Sequence, residues 1–197
     1  MSLELCDEFG GALGWSEPGF LSRTSHAVAV DGKVLVFDPV NASGIDERIR
    51  ALGEPEAVVQ LLDRHDRDCV AVAARLGIPH RRMELGGSAP QARLLRIAWN
   101  PVWKEVAFWE PERRVLVVGD ALGTVAYFTA PDERIGVHPF LRLRPPRALA
   151  GLGPRHVLCG HGAGLHGEEA APALEEALAT ARRRIPPWLA GQVRRNR

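Results

Sequence analysis

The sequence lacks several features that mark particular classes of protein. Its three cysteines, Cys6, Cys69 and Cys159, do not have the close pairwise spacing of a zinc knuckle. An odd number of scattered cysteines favours reduced thiols over a disulfide framework. The net charge is only +1, from 25 basic and 24 acidic residues. That balance gives no general attraction for nucleic acid or for acidic membranes, so we expect neither as a partner.

Long apolar runs are also missing. No run approaches the roughly 20 residues needed to cross a bilayer, and the first residues lack the basic-then-apolar layout of a signal peptide. These absences predict a soluble, cytoplasmic protein. A chain of 197 residues that is 46% hydrophobic suits one packed domain. We therefore expect a single domain over 1–197, with about 186–197 as a tail that could be flexible.

What the sequence does contain is an alternation of β-type and helical patterns, which predicts an α/β fold. The pair Asp31-Gly32 between two apolar runs predicts a β-hairpin. Further strands are predicted at 57–62, 93–99, 105–109, 115–118 and 156–159. Helices are predicted at 45–52, 70–76 and 168–185, and Pro186-Pro187 is expected to end the last one. Residues 1–25 are interpreted as an edge strand and a loop, and residues 84–93 as a loop.

Three of the predicted strands end in polar residues. Leu62 precedes Asp63, Val118 precedes Gly119-Asp120, and Cys159 precedes Gly160-His161-Gly162. Ligands gather at strand ends in α/β sheets, and glycine permits close backbone approach there. Carboxylates and imidazoles that converge from separate strands are the ingredients of a hydrolytic metal site. For the charged stretch 63–68, a solvated loop before a helix N-terminus is the alternative interpretation.

The order of these motifs resembles the metallo-β-lactamase superfamily over roughly residues 9–180. The resemblance rests on the early hairpin that ends in Asp38, the strand, charged loop and helix at 58–76, and the segments 115–122 and 157–162. It implies an αββα four-layer sandwich, in which two mixed sheets are flanked by helices. It also implies a site for one or two metal ions at one edge of the sheets.

The first metal-binding motif of that family, His-x-His-x-Asp-His, is degenerate in this chain. Its positions fall on Asp63, His65, Arg67 and Asp68, and only His65 matches. Arg67 stands where the family has an aspartate that serves the second metal, and a guanidinium cannot ligate a metal. Under this resemblance, Asp63 and Asp68 stand where the family has nitrogen ligands, and they would act as substitute oxygen ligands.

The later motifs of the family are better preserved. Pro101 falls at or near the position of the next family histidine, so that ligand is missing. The bridging aspartate matches Asp120, and the last histidine matches His161. The resemblance thus implies a metal-ligand set drawn from His65, Asp120, His161, Asp63 and Asp68. We expect Arg67 to neutralise Asp63, Asp68 or Asp120 through an ion pair.

Two functions stay open on the sequence. One is a pseudo-enzyme with a lost or reduced metal site that binds a small, anionic molecule or a partner protein through Arg64 and Arg67. The other is a mononuclear hydrolase for an ester, thioester or phosphoester, with Asp120 and Arg67 in catalytic roles. It would use one Zn or Fe ion to activate water. A homodimer, or a protein with no cofactor, also stays open.

Other histidines and aromatic residues have less specific interpretations. His80, His138 and His156 lie at element ends or in loops, so we expect them at the surface. An aromatic group follows the missing ligand and could wall a pocket, pack in the core or form a dimer interface: Trp99, Trp103, Phe108 and Trp109.

Overall fold

A computed structural model describes residues 4–85 and 91–195. The strands are β1 (Glu4–Phe9), β2 (Ala12–Glu17), β3 (Arg23–Val30), β4 (Lys33–Phe37), β5 (Glu54–Gln60), β6 (His80–Arg82), β7 (Arg93–Asn100), β8 (Trp103–Glu110), β9 (Val115–Val118), β10 (Leu122–Gly123), β11 (Gly136–Val137), β12 (His156–Cys159) and β13 (Leu165–His166). The helices are α1 (Ile45–Leu52), α2 (Cys69–Leu76), α3 (Ala170–Thr180) and α4 (Ile185–Arg195). Short 3₁₀ turns span Pro139–Leu141, Arg147–Leu149 and Gly167–Glu169.

The strands form two mixed sheets and one small ribbon. The first sheet has the order β1-β2-β3-β4-β5-β6, antiparallel from β1 to β4 and parallel from β4 to β6. The second has the order β13-β12-β9-β8-β7, in which only the β12–β9 pair is parallel. Strands β10 and β11 pair separately. The prediction of two mixed sheets is confirmed.

Three apolar clusters show how the layers stack. The cluster between the two sheets joins Phe37 from β4 to Phe108 from β8, with ring centroids 4.7 Å apart. The outer face of the six-stranded sheet packs on α1 and α2. The outer face of the five-stranded sheet packs on α3. The layers are therefore helix, sheet, sheet and helix, which confirms the predicted αββα sandwich.

Local sequence signals account for much of this architecture. Strands β3 and β4 form the predicted hairpin, and both Asp31 and Gly32 have the positive φ that a tight type I′ turn requires, 50° and 77°. Strands β9 and β12 have the predicted bounds: β9 is a fully apolar run, β12 is apolar after His156, and both stop at a glycine. Of the predicted loop 84–93, residues 86–90 lie outside the described residues.

The structure differs from the sequence interpretation near both ends of the chain. Residues 4–17 form a complete hairpin, β1 and β2, that turns at Gly10-Gly11. At the other end, Pro186-Pro187 lies in the first turn of α4, where the missing N–H groups of proline cost no helical hydrogen bond. The predicted tail therefore continues as a helix as far as Arg195, and the Trp188 Nε1–H donates to the carbonyl of Tyr127 at 2.7 Å. None of the helices in the described part of the chain could cross a membrane by its length and apolar character.

Candidate metal centre

The candidate site lies where the ends of parallel strands from both sheets meet. Parallel strands finish at the same edge of a sheet, so β4 and β5 bring Asp38 and His65 together, and β9 and β12 do the same for Asp120 and His161. A Cβ at Gly160 would lie 2.7 Å from the carbonyl oxygen of Gly119. Glycine at position 160 therefore allows the two strand ends to approach as closely as the site requires.

Three side chains converge at this edge. The Nε2 atom of His65 lies 2.8 Å from Oδ1 of Asp120, and Nε2 of His161 lies 3.0 Å from the same oxygen. One ligand atom from each residue can be chosen so that all three lie within 4.8 Å of one another. Both histidines are buried, whereas Asp120 keeps 15% of its side chain exposed. The group is thus open to solvent on the side of the carboxylate.

Each imidazole is also held from its other nitrogen. His65 Nδ1 lies 2.8 Å from Oδ2 of Asp38, and His161 Nδ1 lies 2.8 Å from the carbonyl oxygen of Leu21. When an imidazole is neutral and its Nδ1–H donates to this oxygen, its Nε2 carries the lone pair that a metal ion binds. Histidines that ligate metals are usually oriented in this way. Asp38 was not among the site residues predicted from the sequence, although it follows a strand end as the predicted ones do.

Asp38 is fixed by the backbone around it. Its Oδ1 accepts a hydrogen bond from the N–H of Leu61 at 2.8 Å, so each of its two oxygens has its own partner. Its φ of 43° is in the left-handed region, which non-glycine residues adopt at a cost. Such backbone conformations cluster at functional sites.

Two of the sequence-predicted ligands lie outside the converging group. The Oδ2 atom of Asp63 accepts from the N–H of Lys104 at 3.2 Å. The Oδ2 atom of Asp68, just before α2, accepts from the N–H of Asn41 at 2.7 Å. Both carboxylates therefore serve the backbone of neighbouring loops.

The guanidinium of Arg67 binds carbonyl groups. Its Nη1 donates to the carbonyls of Thr24 and Asp38 at 2.6 and 2.9 Å, and its Nη2 donates to that of Gly160 at 3.0 Å. The expected ion pair with Asp63, Asp68 or Asp120 is wrong: across residues 4–85 and 91–195, the hydrogen bonds of Arg67 all go to backbone oxygens. The ends of β3, β4 and β12 leave these carbonyls facing inward, and a planar fork of donors matches them.

A fully buried carboxylate, Glu105, supports the loop that carries Asp120. Its Oε2 accepts from Nε1–H of Trp103 at 2.8 Å, and its Oε1 accepts from the N–H of Ala121 at 2.9 Å. Burial, followed by the nearby charge of Asp120, raises the pKa of Glu105 to about 8. Glu105 was not among the site residues predicted from the sequence, where its signal is an acidic residue within an apolar strand pattern.

Comparisons with known proteins identify the fold. A metallo-β-lactamase from Hirschia baltica matches 90% of this chain and 98% of its own, at 10% identity and a TM-score of 0.60. A metallo-β-lactamase from Pseudomonas aeruginosa, in its mono-zinc form, matches 92% and 97% at 10% identity and a TM-score of 0.59. Rubredoxin oxygen:oxidoreductase from Desulfovibrio gigas matches 90% of this chain and 61% of its own, at 14% identity and a TM-score of 0.60.

The chain has the metallo-β-lactamase fold. No protein-family model and no curated protein matches the sequence.

The donor atoms at this edge of the metallo-β-lactamase fold suit a single metal ion. Two imidazole nitrogens and a carboxylate oxygen are ligands that Zn and Fe both accept. Three protein ligands leave a coordination position for water, as in catalytic zinc sites. The fixed Nδ1 atoms of His65 and His161 meet the further requirement that each ligand ring be oriented.

The charges around these ligands are strongly coupled. Burial and the charge of Arg67 lower the pKa of His65, but Asp38 and Asp120 outweigh them and raise it to about 9. Burial acts to raise the pKa of Asp120, yet hydrogen bonds from His161 and His65 hold it well below its ordinary value. Without a metal, a proton on His65 therefore links the two carboxylates.

The remaining aromatic and histidine residues divide between core and site. Phe108 packs between the sheets, Trp109 packs on the α3 side, and Trp99 is 48% exposed. Trp103 lies 4.7 Å from the ring of His138, beside the candidate centre. The prediction that His138 lies at the surface is wrong: it is 8% exposed, because its ring packs among those of Trp103, Tyr127 and Phe128.

Proposed function

We propose that this protein is a mononuclear metal-dependent hydrolase acting on an ester, thioester or phosphoester. One Zn or Fe ion would be held by His65, Asp120 and His161. The observation that carries the proposal is the approach of two Nε2 atoms to one oxygen of Asp120, with both Nδ1 atoms already engaged. The mono-zinc form of the Pseudomonas aeruginosa protein supports a single-ion site in this fold.

The surrounding residues favour one ion over two. The guanidinium of Arg67 replaces the carboxylate that the family motif provides for a second metal, and its fixed positive charge repels a second cation. Asp68, which the resemblance would allow as a substitute ligand of a second metal, accepts a hydrogen bond from the backbone of Asn41. Both features leave the His65, Asp120 and His161 group as the place for the ion.

The reaction we propose is hydrolysis by water. When bound, the metal ion lowers the pKa of a coordinated water and so supplies hydroxide near neutral pH. The water oxygen forms a bond to the acyl carbon or to phosphorus, the bond to the leaving oxygen or sulfur breaks, and the leaving group takes the proton. Asp38 and the Leu21 carbonyl orient the two imidazoles, and buried Glu105 positions the Asp120 loop.

A metal-free binding protein is the second candidate. The observation that favours it is the chain of contacts Asp38–His65–Asp120. When His65 is charged, its two N–H groups donate to these carboxylates, so a proton takes the place of a metal ion on Nε2. Its ligand would be a small anionic molecule. Arg64 offers a cation in reach of solvent, with 45% of its side chain exposed and its guanidinium 4.4 Å from the ring centre of Trp103.

Metal content separates the two candidates. The protein would be stripped with a chelator, reloaded with Zn or with Fe(II), and examined by elemental analysis and circular dichroism. We expect one ion per chain, lost in His65→Ala, Asp120→Ala and His161→Ala. Asp63→Asn and Asp68→Asn are matched controls and should keep the ion, since those carboxylates lie outside the group.

Activity then tests the reaction. The loaded protein would be assayed with p-nitrophenyl acetate, a phenyl thioester and bis(p-nitrophenyl) phosphate, and turnover should depend on the ion. A folded wild-type protein that takes up no stoichiometric ion contradicts the hydrolase and favours the binding protein.

A further inference from the structure

His138 is enclosed by aromatic rings beside the metal centre. The ring lies 4.7 Å from Trp103, 5.3 Å from Phe128, 5.4 Å from Phe140 and 5.9 Å from Tyr127, measured between centroids. Three of these contacts are edge-on and one is tilted, which is how aromatic rings pack around a ring they hold in one orientation. The imidazole therefore has little freedom to rotate.

The hydrogen bonding of His138 fixes its tautomer. Its Nδ1 accepts a hydrogen bond from the N–H of Phe140 at 3.2 Å, so the proton of the neutral ring must be on Nε2. Within the part of the chain that the structure describes, no acceptor is bonded to Nε2. A fixed N–H donor is left for a bound molecule.

Two contacts connect His138 to the ligand residues. Its backbone N–H donates to the carbonyl of Ala121, the residue after Asp120, at 3.0 Å. The ring of Phe128 stacks on His161 at 5.4 Å with an interplanar angle of 26°, and its edge meets His138. The ring of Phe128 thus contacts both the imidazole of His138 and that of His161, a proposed metal ligand.

The geometry points to His138 as a further catalytic residue. We propose that its Nε2–H donates a hydrogen bond to the substrate oxygen on which negative charge develops during hydrolysis at the His65, Asp120 and His161 group. This inference rests on the function proposed above. It adds a donor that comes from neither the family motif nor the ligand set.

The electrostatic surroundings support a neutral donor. Burial lowers the pKa of His138 to about 4; Asp120 acts in the opposite direction, and His161 and Arg64 add to the lowering. The ring is therefore neutral near pH 7 and does not repel a nearby metal cation. A fixed donor of this kind favours the transition state because it needs no reorientation as charge develops.

Two amide substitutions separate catalysis from structure. His138→Asn keeps an acceptor near Nδ1, where Phe140 donates, but removes the donor near Nε2. His138→Gln places an amide N–H near Nε2 and loses the acceptor near Nδ1. If the donor is catalytic, the asparagine variant loses activity and the glutamine variant keeps more of it. If the histidine only caps the 3₁₀ turn Pro139–Leu141, the glutamine variant is the more damaged.

The measurements are made on zinc-loaded protein. We expect His138→Asn to lower kcat for p-nitrophenyl acetate or bis(p-nitrophenyl) phosphate by on the order of 100-fold, the usual effect of losing one oxyanion donor. KM should change little, and His138→Gln should recover about tenfold of that loss. Phenylphosphonate, an inert anion, should bind more weakly to the asparagine than to the glutamine variant by calorimetry. Melting temperatures should show the opposite order.

The outcomes are distinguishable. An asparagine variant with wild-type kcat, or activities that simply follow the melting temperatures, overturns the role of His138 but leaves the proposed function standing. A wild-type protein that loads zinc but hydrolyses neither probe overturns the proposed function, and the inference with it.

Discussion

At the scale of single residues, the candidate centre depends on pairs of groups that fix one another. His65 lies between Asp38 and Asp120, and His161 lies between Asp120 and the Leu21 carbonyl. The metal affinity of the centre should therefore depend on the supporting residues as well as on the proposed ligands.

Asp38→Asn tests the support of His65. Asparagine tolerates the left-handed backbone at this position, and its Oδ1 can still accept from Leu61. Its amide nitrogen cannot accept from Nδ1–H of His65, so the ring loses its orientation. We expect metal affinity to fall by about 10- to 100-fold, measured by competition with a chromophoric chelator.

The control for that variant is Asp66→Asn, at a carboxylate whose side chain is 76% exposed. It should bind the ion as the wild type does. Equal affinities for Asp38→Asn and the wild type would show that the Asp38 contact does not orient a ligand.

The sequence predicts the converging group of His65, Asp120 and His161 better than the residues that support it, for a physical reason. His65, Asp120 and His161 each follow a strand end, a local pattern visible in the sequence. Asp38 and His65 are 27 residues apart, and Glu105 and Ala121 are 16 apart. Those partnerships exist only once the sheets have formed. The ring of contacts around His138 was unpredictable because segment 121–144 has little regular periodicity.

At the scale of elements, short apolar runs with clear stops were predictable. The β3–β4 hairpin and strands β9 and β12 follow from turn residues and hydrophobic patterns. The error at Pro186-Pro187 arose because proline suits the first turn of a helix as well as the position just after one. The helix predicted at 168–185 ends earlier, at Thr180, and the prolines begin α4. What joins the elements was harder to predict, and Arg67 is the main example.

Arg67→Lys tests how the strand ends are joined. The guanidinium reaches carbonyls after β4 and β12 and within β3 at once. A lysine ammonium is a single compact donor and cannot span these three positions. We expect the free energy of unfolding to fall by about 1–3 kcal/mol in urea titrations, because buried carbonyls lose their partners.

Arg64→Lys provides the comparison, since the side chain of Arg64 is 45% exposed. Its stability should stay within about 0.5 kcal/mol of the wild type. Similar losses for the two variants would show that Arg67 does not hold the strand ends together.

At the scale of the whole molecule, protonation of the centre should make the stability of the metal-free protein depend on pH. The folded protein raises the pKa of Glu105 to about 8 and that of His65 to about 9. Both groups bind protons more tightly when folded, so their contributions are lost as pH rises through those values. The lowered pKa values of His26 and His138 have the opposite effect, since they make stability rise with pH. Above pH 7 these two histidines are neutral in both the folded and the unfolded chain, so they no longer change the stability.

We therefore expect the melting temperature of chelator-treated protein to fall between pH 7 and pH 9. In Glu105→Gln, which cannot titrate, the fall should be smaller, although the variant starts from a lower value because one buried hydrogen bond is lost. Melting curves at pH 7, 8 and 9 measure both slopes. Parallel slopes would show that Glu105 does not titrate in this range.

The division of the centre between two sheets has a consequence for the life of the protein in a cell. His65 follows a strand of the six-stranded sheet, and Asp120 and His161 follow strands of the five-stranded sheet, so an ion held by these three residues would join the two halves of the sandwich. Free metal at 100 times its dissociation constant would add about 2.7 kcal/mol to folding stability. Metal starvation would then lower the abundance of the protein through degradation, in addition to removing its metal-dependent activity.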